Sequence, residues 1–119
     1  MEIILGDKIG EGKRRIVYNH AERDDVVVKV LKNKVKSNDD HNRIEYNNWI
    51  KLKDDKWLAP CLFLSECEQY LIQLKGELTP IPKEVPDFIK KQRDWNLDRG
   101  QWVKINNNIV LCDYGFYEI

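Results

Sequence analysis

A lone lysine, Lys29, interrupts the apolar run Val26-Val27-Val28-Lys29-Val30-Leu31. An ammonium set in such a run must find a carboxylate or an anionic ligand, because burying an unpaired charge is costly. Upstream stands Gly10-Glu11-Gly12, a glycine turn whose backbone amides can approach phosphate oxygens with no side chain in the way. Lys13, Arg14 and Arg15 follow at once and add positive charge. Far downstream, Asp113-Tyr114-Gly115 follows the apolar run Ile109-Val110-Leu111-Cys112. That order puts a carboxylate at a strand end, where its oxygens suit a hard divalent cation. Together these residue types suit the handling of phosphate and a divalent metal.

The elements needed to position them are mostly strands. Ile3 to Ile9 alternates as a strand ending in the glycine turn, and Arg15 to His20 returns as its hairpin partner. After a turn at Arg23-Asp24-Asp25 comes Val26 to Leu31. Val27, Lys29 and Leu31 share one face of this strand and Val26, Val28 and Val30 the other, so it reads as central. Lys32 to Asp40 reads as a charged loop, and Asp39 or Asp40 can cap a helix from about His41 to Lys53. Glu45, Asn48, Trp49 and Leu52 form one helix face. Packing Trp49 and Leu52 on the sheet points Glu45 toward the strand of Lys29, where a Lys–Glu pair would relieve the cost of burying either charge.

Two more strands follow, Cys61 to Ser65 and Tyr70 to Leu74. Lys75-Gly76-Glu77 interrupts the sheet, and Pro80, Pro82 and Pro86 predict an extended connection. Pro86 suits the first turn of a helix reaching about Trp95. A last hairpin, Trp102 to Ile105 and Ile109 to Cys112, turns at Asn106-Asn107-Asn108. The expectation is one α+β domain over 1–119, with sheet and helix in 1–75 and the linker, helix and hairpin in 76–119.

Composition narrows the function classes. Charged residues make up 34% of the 119, yet 20 basic and 20 acidic side chains cancel, so no global basic field argues for nucleic acid. Met1-Glu2-Ile3-Ile4-Leu5 has no basic region and breaks at Gly6-Asp7, and no apolar run approaches the roughly 20 residues that span a bilayer. Neither a signal peptide nor a membrane partner is expected. Three unevenly spaced cysteines, Cys61, Cys67 and Cys112, predict reduced thiols in a cytoplasm. His20 and His41 lie too far from them for zinc-ligand spacing. Trp49, Trp57, Trp95 and Trp102 are many for so small a core, and either fill it or mark an interface.

The order strand, strand, strand, helix, strand, strand, linker, helix, hairpin resembles the small lobe of the protein-kinase-like superfamily, most closely the small atypical members of bacteria and their phages. Ile9-Gly-Glu-Gly-Lys-Arg-Arg-Ile-Val-Tyr-Asn-His20 is similar to a glycine-loop hairpin, and Trp102-Val-Lys-Ile-Asn-Asn-Asn-Ile-Val-Leu-Cys-Asp-Tyr-Gly115 to a metal-loop hairpin. The resemblance implies a cofactor pair of ATP and Mg²⁺. Gly10, Gly12 and Arg15 would lie on the phosphates, Lys29 on the α- and β-phosphates with Glu45 as its partner, and Asp113 on the metal.

For the catalytic aspartate two alternatives stand. Arg93-Asp94 resembles one part of the family's catalytic loop, with Arg99 where an asparagine belongs. Asp98-Arg99-Gly100-Gln101-Trp102 resembles the phage-type loop, with Gln101 replacing the metal-binding asparagine, and is preferred. Arg15 falls where the third loop glycine is expected, and four residues follow Gly115, so no activation segment or substrate platform is expected.

Three readings remain open. One is a pseudokinase that acts by binding a bacterial host or partner protein, in the host cytoplasm if phage-encoded. The second is a minimal ATP-dependent protein kinase, and the third a non-kinase α+β binding protein.

Overall fold

The computed structural model describes residues 1–32, 39–93, 95–96 and 101–118. Five strands, β1 (Leu5–Glu11), β2 (Arg15–His20), β3 (Val26–Leu31), β4 (Cys61–Leu64) and β5 (Tyr70–Leu74), form one antiparallel sheet in the order β1-β2-β3-β5-β4. The strand with apolar residues on both faces is indeed interior: Val26 and Val28 are fully buried, and Leu31 is nearly so. The helix α1 (His41–Leu52) crosses between β3 and β4. Asp39 starts it, its Oδ1 accepting from the His41 backbone N–H at 2.9 Å, so a free donor at the helix start is satisfied.

A second sheet, in the order β6-β7-β8, joins β6 (Glu77–Leu78) to the hairpin β7 (Trp102–Ile105) and β8 (Asn108–Leu111). The two sheets meet where Leu58 bridges Leu111, with Ala59 N–H donating to the Leu111 carbonyl at 2.8 Å. The main core lies here, around Leu58, Leu71, Ile89, Trp102, Leu111 and Tyr114. Trp102 is buried within it, and Trp49, Trp57 and Trp95 are partly buried against it, so the tryptophans serve the core. A smaller cluster of Val26, Val28 and Ile72 covers the opposite face of the large sheet.

Several boundaries depart from expectation, each for a local reason. β1 begins at Leu5 and runs through Gly10, which pairs with Val17 after a register shift, so the turn lies at Gly12 to Arg14. Glu77–Leu78 is a strand rather than part of an extended linker. Gly76 permits it, since a Cβ there would stand 2.7 Å from Ile105 Cγ1 and 2.8 Å from the Lys104 carbonyl. Asn106 and Asn107 both have positive φ, 49° and 68°, giving the two-residue turn that suits a twisted hairpin, so β8 starts already at Asn108. The helix after Pro86, α2 (Asp87–Lys90), is a single turn and does not reach Trp95. The Gln92 side chain caps its end, donating to the Phe88 carbonyl at 3.0 Å and tying it to the Glu118 carbonyl at 2.9 Å. Among the described residues no helix is long and apolar enough to cross a membrane.

Candidate functional site

Pairing across β2 and β3 sets the charged groups of the site. Val17 faces Lys29 and Arg15 faces Leu31, so the side-chain period of two puts Arg15, Val17, Lys29 and Val27 on one face. α1 packs on that face with an unusual stripe: its buried residues are Asn42, Glu45 and Asn48. Polar contacts therefore join helix and sheet, beside the packing of Tyr46, Trp49 and Leu52 on the main core. Glu45, fully buried, accepts from Lys29 Nζ at 2.8 Å and from both terminal nitrogens of Arg15, at 2.9 and 3.2 Å. Asn42 accepts from Arg15 Nη1 at 3.1 Å and donates toward the backbone carbonyls of Lys29, Glu68 and Gln69.

The segment after β8 closes the cluster. Arg15 Nη2 donates to Asp113 Oδ1 at 2.8 Å, and Lys29 Nζ donates to the Cys112 carbonyl. Tyr114 N–H donates to Glu45 Oε1 at 2.7 Å, and Asn48 donates to the carbonyls of Tyr114 and Tyr117 at 3.1 and 3.0 Å. Gly115 lies so close to α1 that a Cβ would stand 2.7 Å from the His41 carbonyl, which explains a glycine at this point of the Asp-Tyr-Gly sequence.

Charge and burial pull against each other throughout. Burial alone would raise the Glu45 pKa, but Arg15 and Lys29 outweigh it and hold the carboxyl at about 2. Burial likewise opposes the Arg15 charge, and Glu45, then Asp113, more than restore it. Burial, followed by the nearby Arg15 charge, lowers the His41 pKa below its usual 6.5, so the imidazole is neutral at pH 7. Burial pushes the Cys61 thiol to about 12 and the Cys112 thiol to about 11, so these two stay protonated.

A pH dependence follows from Glu45. Between pH 4.5 and about 2 the unfolded chain binds a proton at Glu45 that the native state refuses, so stability rises with pH across this window. The contribution is complete above pH 4.5 and is lost as the pH falls toward 2. Urea midpoints measured from pH 6 down to pH 3 should decline below about pH 4.5. A flat profile would mean that Glu45 carries no ion pair.

The cluster sits in a cleft between the two sheets with a volume of about 910 Å³. Along both strands its lining changes in the same direction, from Arg15 to Val17 on β2 and from Lys29 to Val27 on β3. Gln73, Leu74, Lys75 and Gly76 continue the lining beyond Val27, and Leu78 and Val103 line it from the second sheet. Lys13 and Arg14 add basic side chains. Gly10 and Gly12 also line the cleft, and the nearest atoms to a Cβ there would be 3.8 and 4.0 Å away, so the fold does not itself crowd them.

Of the residues singled out by sequence, Gly10, Gly12, Arg15, Lys29 and Asp113 thus come together on the cleft, with Glu45 directly behind. Gln101 does not join the lining: it is buried behind the hairpin, its backbone carbonyl accepting from Cys112 N–H at 2.7 Å. Asp94 and Asp98 lie outside the described residues. Sequence reasoning missed Asn42 and His41, although Asn42 stands three residues before Glu45 on the same helix face.

The magnesium that the resemblance implies finds these donors among the described residues. Asp113 Oδ1 is engaged by Arg15, Gln101 is buried off the cleft lining, and among the described residues no group of three or more His, Cys, Asp or Glu side chains is arranged for a metal ion. What the arrangement offers is a cleft with charge at one end, apolar walls toward the other, and a buried ion network that cancels internally. The sequence matches no protein-family model and no curated protein, so the reading of this cleft rests on its geometry.

Proposed function

We propose that this chain is a protein-kinase-like domain that binds a nucleotide and acts through a protein partner rather than through phosphate transfer. The kinase-like part is supported by the strand order β1-β2-β3-β5-β4, the helix between β3 and β4, the 2.8 Å Lys29–Glu45 pair and an Asp-Tyr-Gly following the last hairpin. A purine would suit the walls formed by Val17, Val27 and Leu74, and its phosphates the charged end. Lys29 uses two of its three N–H donors on Glu45 and Cys112, which leaves one for a phosphate oxygen.

One observation carries the view that transfer is not the role. Arg15, 7% exposed, bridges Glu45 and Asp113, so the groups that would handle phosphate and metal already satisfy one another. Phosphoryl transfer depends almost wholly on positioned, uncommitted charge. A protein partner is supported by the apolar rim: Ile9, Leu78 and Phe116 border the cleft at 48, 75 and 41% exposure. The resemblance makes that partner a bacterial host protein, met in the cytoplasm.

ATP should stabilise the protein, by about 2.7 kcal/mol at a hundredfold excess over Kd, and Lys29→Met should lose most of that gain. The variant should still fold, because Glu45 keeps both bonds to Arg15 and methionine fills a similar volume. Thermal melts with and without ATP give the answer, and undiminished stabilisation would remove Lys29 from the site. The minimal-kinase reading has one observation in its favour, the 40% exposure of the Asp113 side chain. Incorporation of γ-phosphate that disappears in Asp98→Asn would select it.

A further inference from the structure

Asp113 is the carboxylate a divalent cation in this cleft would need, and a cation already holds it. Arg15 Nη2 stands 2.8 Å from Asp113 Oδ1, while Nη1 is held 2.9 Å from Glu45 Oε2 and 3.1 Å from Asn42 Oδ1. The guanidinium is thus fixed on three sides, and its side chain is only 8% exposed. Unlike a metal ion it cannot be chelated away, and it keeps its charge at every physiological pH. The sum over Arg15, Lys29, Glu45 and Asp113 is zero.

The usual obstacle to metal-free phosphate binding beside an aspartate is repulsion between like charges. Here Arg15 has cancelled the aspartate, and on the same cleft Lys13, Lys75 and Arg14, the last paired loosely with Asp39, outweigh Glu11 and leave a positive excess for an incoming polyphosphate. A magnesium ion arriving with the nucleotide meets the opposite situation. To take Asp113 Oδ1 it must displace Arg15 Nη2 from a charge-assisted, part-buried pair, and to take the other oxygen it must share one carboxylate with the guanidinium, against repulsion between two cations.

Resting on the nucleotide reading above, we infer that Arg15 takes the place of the divalent cation, so that this cleft binds nucleoside polyphosphates without magnesium. The test is calorimetric titration of the wild-type chain with ADP, once in EDTA and once in excess MgCl₂. Affinity in EDTA should equal or exceed that in magnesium, within about twofold. Affinity weaker in EDTA by about tenfold or more overturns the inference and leaves the nucleotide reading standing. No binding in either buffer removes the nucleotide reading, and this inference with it.

Arg15→Gln supplies the converse. By freeing Asp113 it should make ADP binding magnesium-dependent, whereas a folded variant that still ignores magnesium would take the role away from Arg15. Should that variant fail to fold, the wild-type comparison decides alone. Manganese(II) without nucleotide, followed by its electron-paramagnetic signal, gives a readout free of ADP: the wild-type chain should leave the signal unchanged, and a bound spectrum would overturn the inference.

Discussion

Glu45→Gln should lower the unfolding free energy by about 3–5 kcal/mol, the largest loss expected from any single substitution in the described residues. The carboxylate is fully buried and serves three donors at once: Lys29 Nζ, the Arg15 guanidinium and the Tyr114 amide. A glutamine can still accept one or two of these hydrogen bonds, but it leaves two cations buried against only one remaining carboxylate, Asp113. Urea denaturation at pH 7 measures the loss directly, as a drop in midpoint at constant slope. A control separates unpaired charge from lost packing. In the triple variant Arg15→Met, Lys29→Met, Glu45→Leu the apolar replacements should recover most of the loss, since buried ion networks are often no more stable than well-packed apolar substitutes. A loss below about 1 kcal/mol for Glu45→Gln would mean that water reaches the cluster, as it does for exposed pairs.

Gly76→Ala should cost about 2–3 kcal/mol, at the upper end of what overpacking one methyl group entails. The added Cβ would stand 2.7 Å from Ile105 Cγ1, 2.8 Å from the Lys104 carbonyl and 2.9 Å from Val103 Cβ. The isoleucine can turn away, but a backbone oxygen within a paired strand cannot. The strain should appear where β6 meets β7, at the Glu77–Lys104 and Leu78–Val103 pairs, as faster amide exchange there before the large sheet is affected. Gly10→Ala is the matched control: its Cβ meets nothing nearer than 3.8 Å, so its effect on stability should stay within about 0.5 kcal/mol. Equal losses at the two positions would show that the approach of the second sheet to Gly76 is looser than described.

The large sheet was legible because its signals are local. An apolar run on both faces gave the central strand, alternation gave its neighbours, and the Glu45–Trp49–Leu52 spacing gave the helix. The Lys29–Glu45 pair followed from strand period and helix period together, and the two atoms stand 2.8 Å apart. What the sequence withheld depends on register and on distant chain. Arg15 reads only as positive charge for a phosphate, at the place of the third loop glycine. Only the pairing of Val17 with Lys29 places it on the same face as the lysine, and only the return of the chain 98 residues later supplies Asp113. β6 escaped because two residues carry no period, and the single-turn helix was overextended because a Gln92 contact to residue 118 ends it. The polar stripe Asn42, Glu45, Asn48 could have been noticed, since its spacing of three marks a helix face as clearly as an apolar stripe does.

That polar stripe governs the order in which the chain can assemble. Tyr46, Trp49 and Leu52 give α1 an apolar hold on the core, but beside them it buries amide and carboxylate groups that need particular donors and acceptors. Several of these belong to Tyr114 and Tyr117, up to 69 residues further along. The sheet supplies Glu45 with Arg15 and Lys29, but only the segment after the last hairpin completes the hydrogen bonds of Glu45 and Asn48, so the seating of α1 is finished by contacts of long sequence separation.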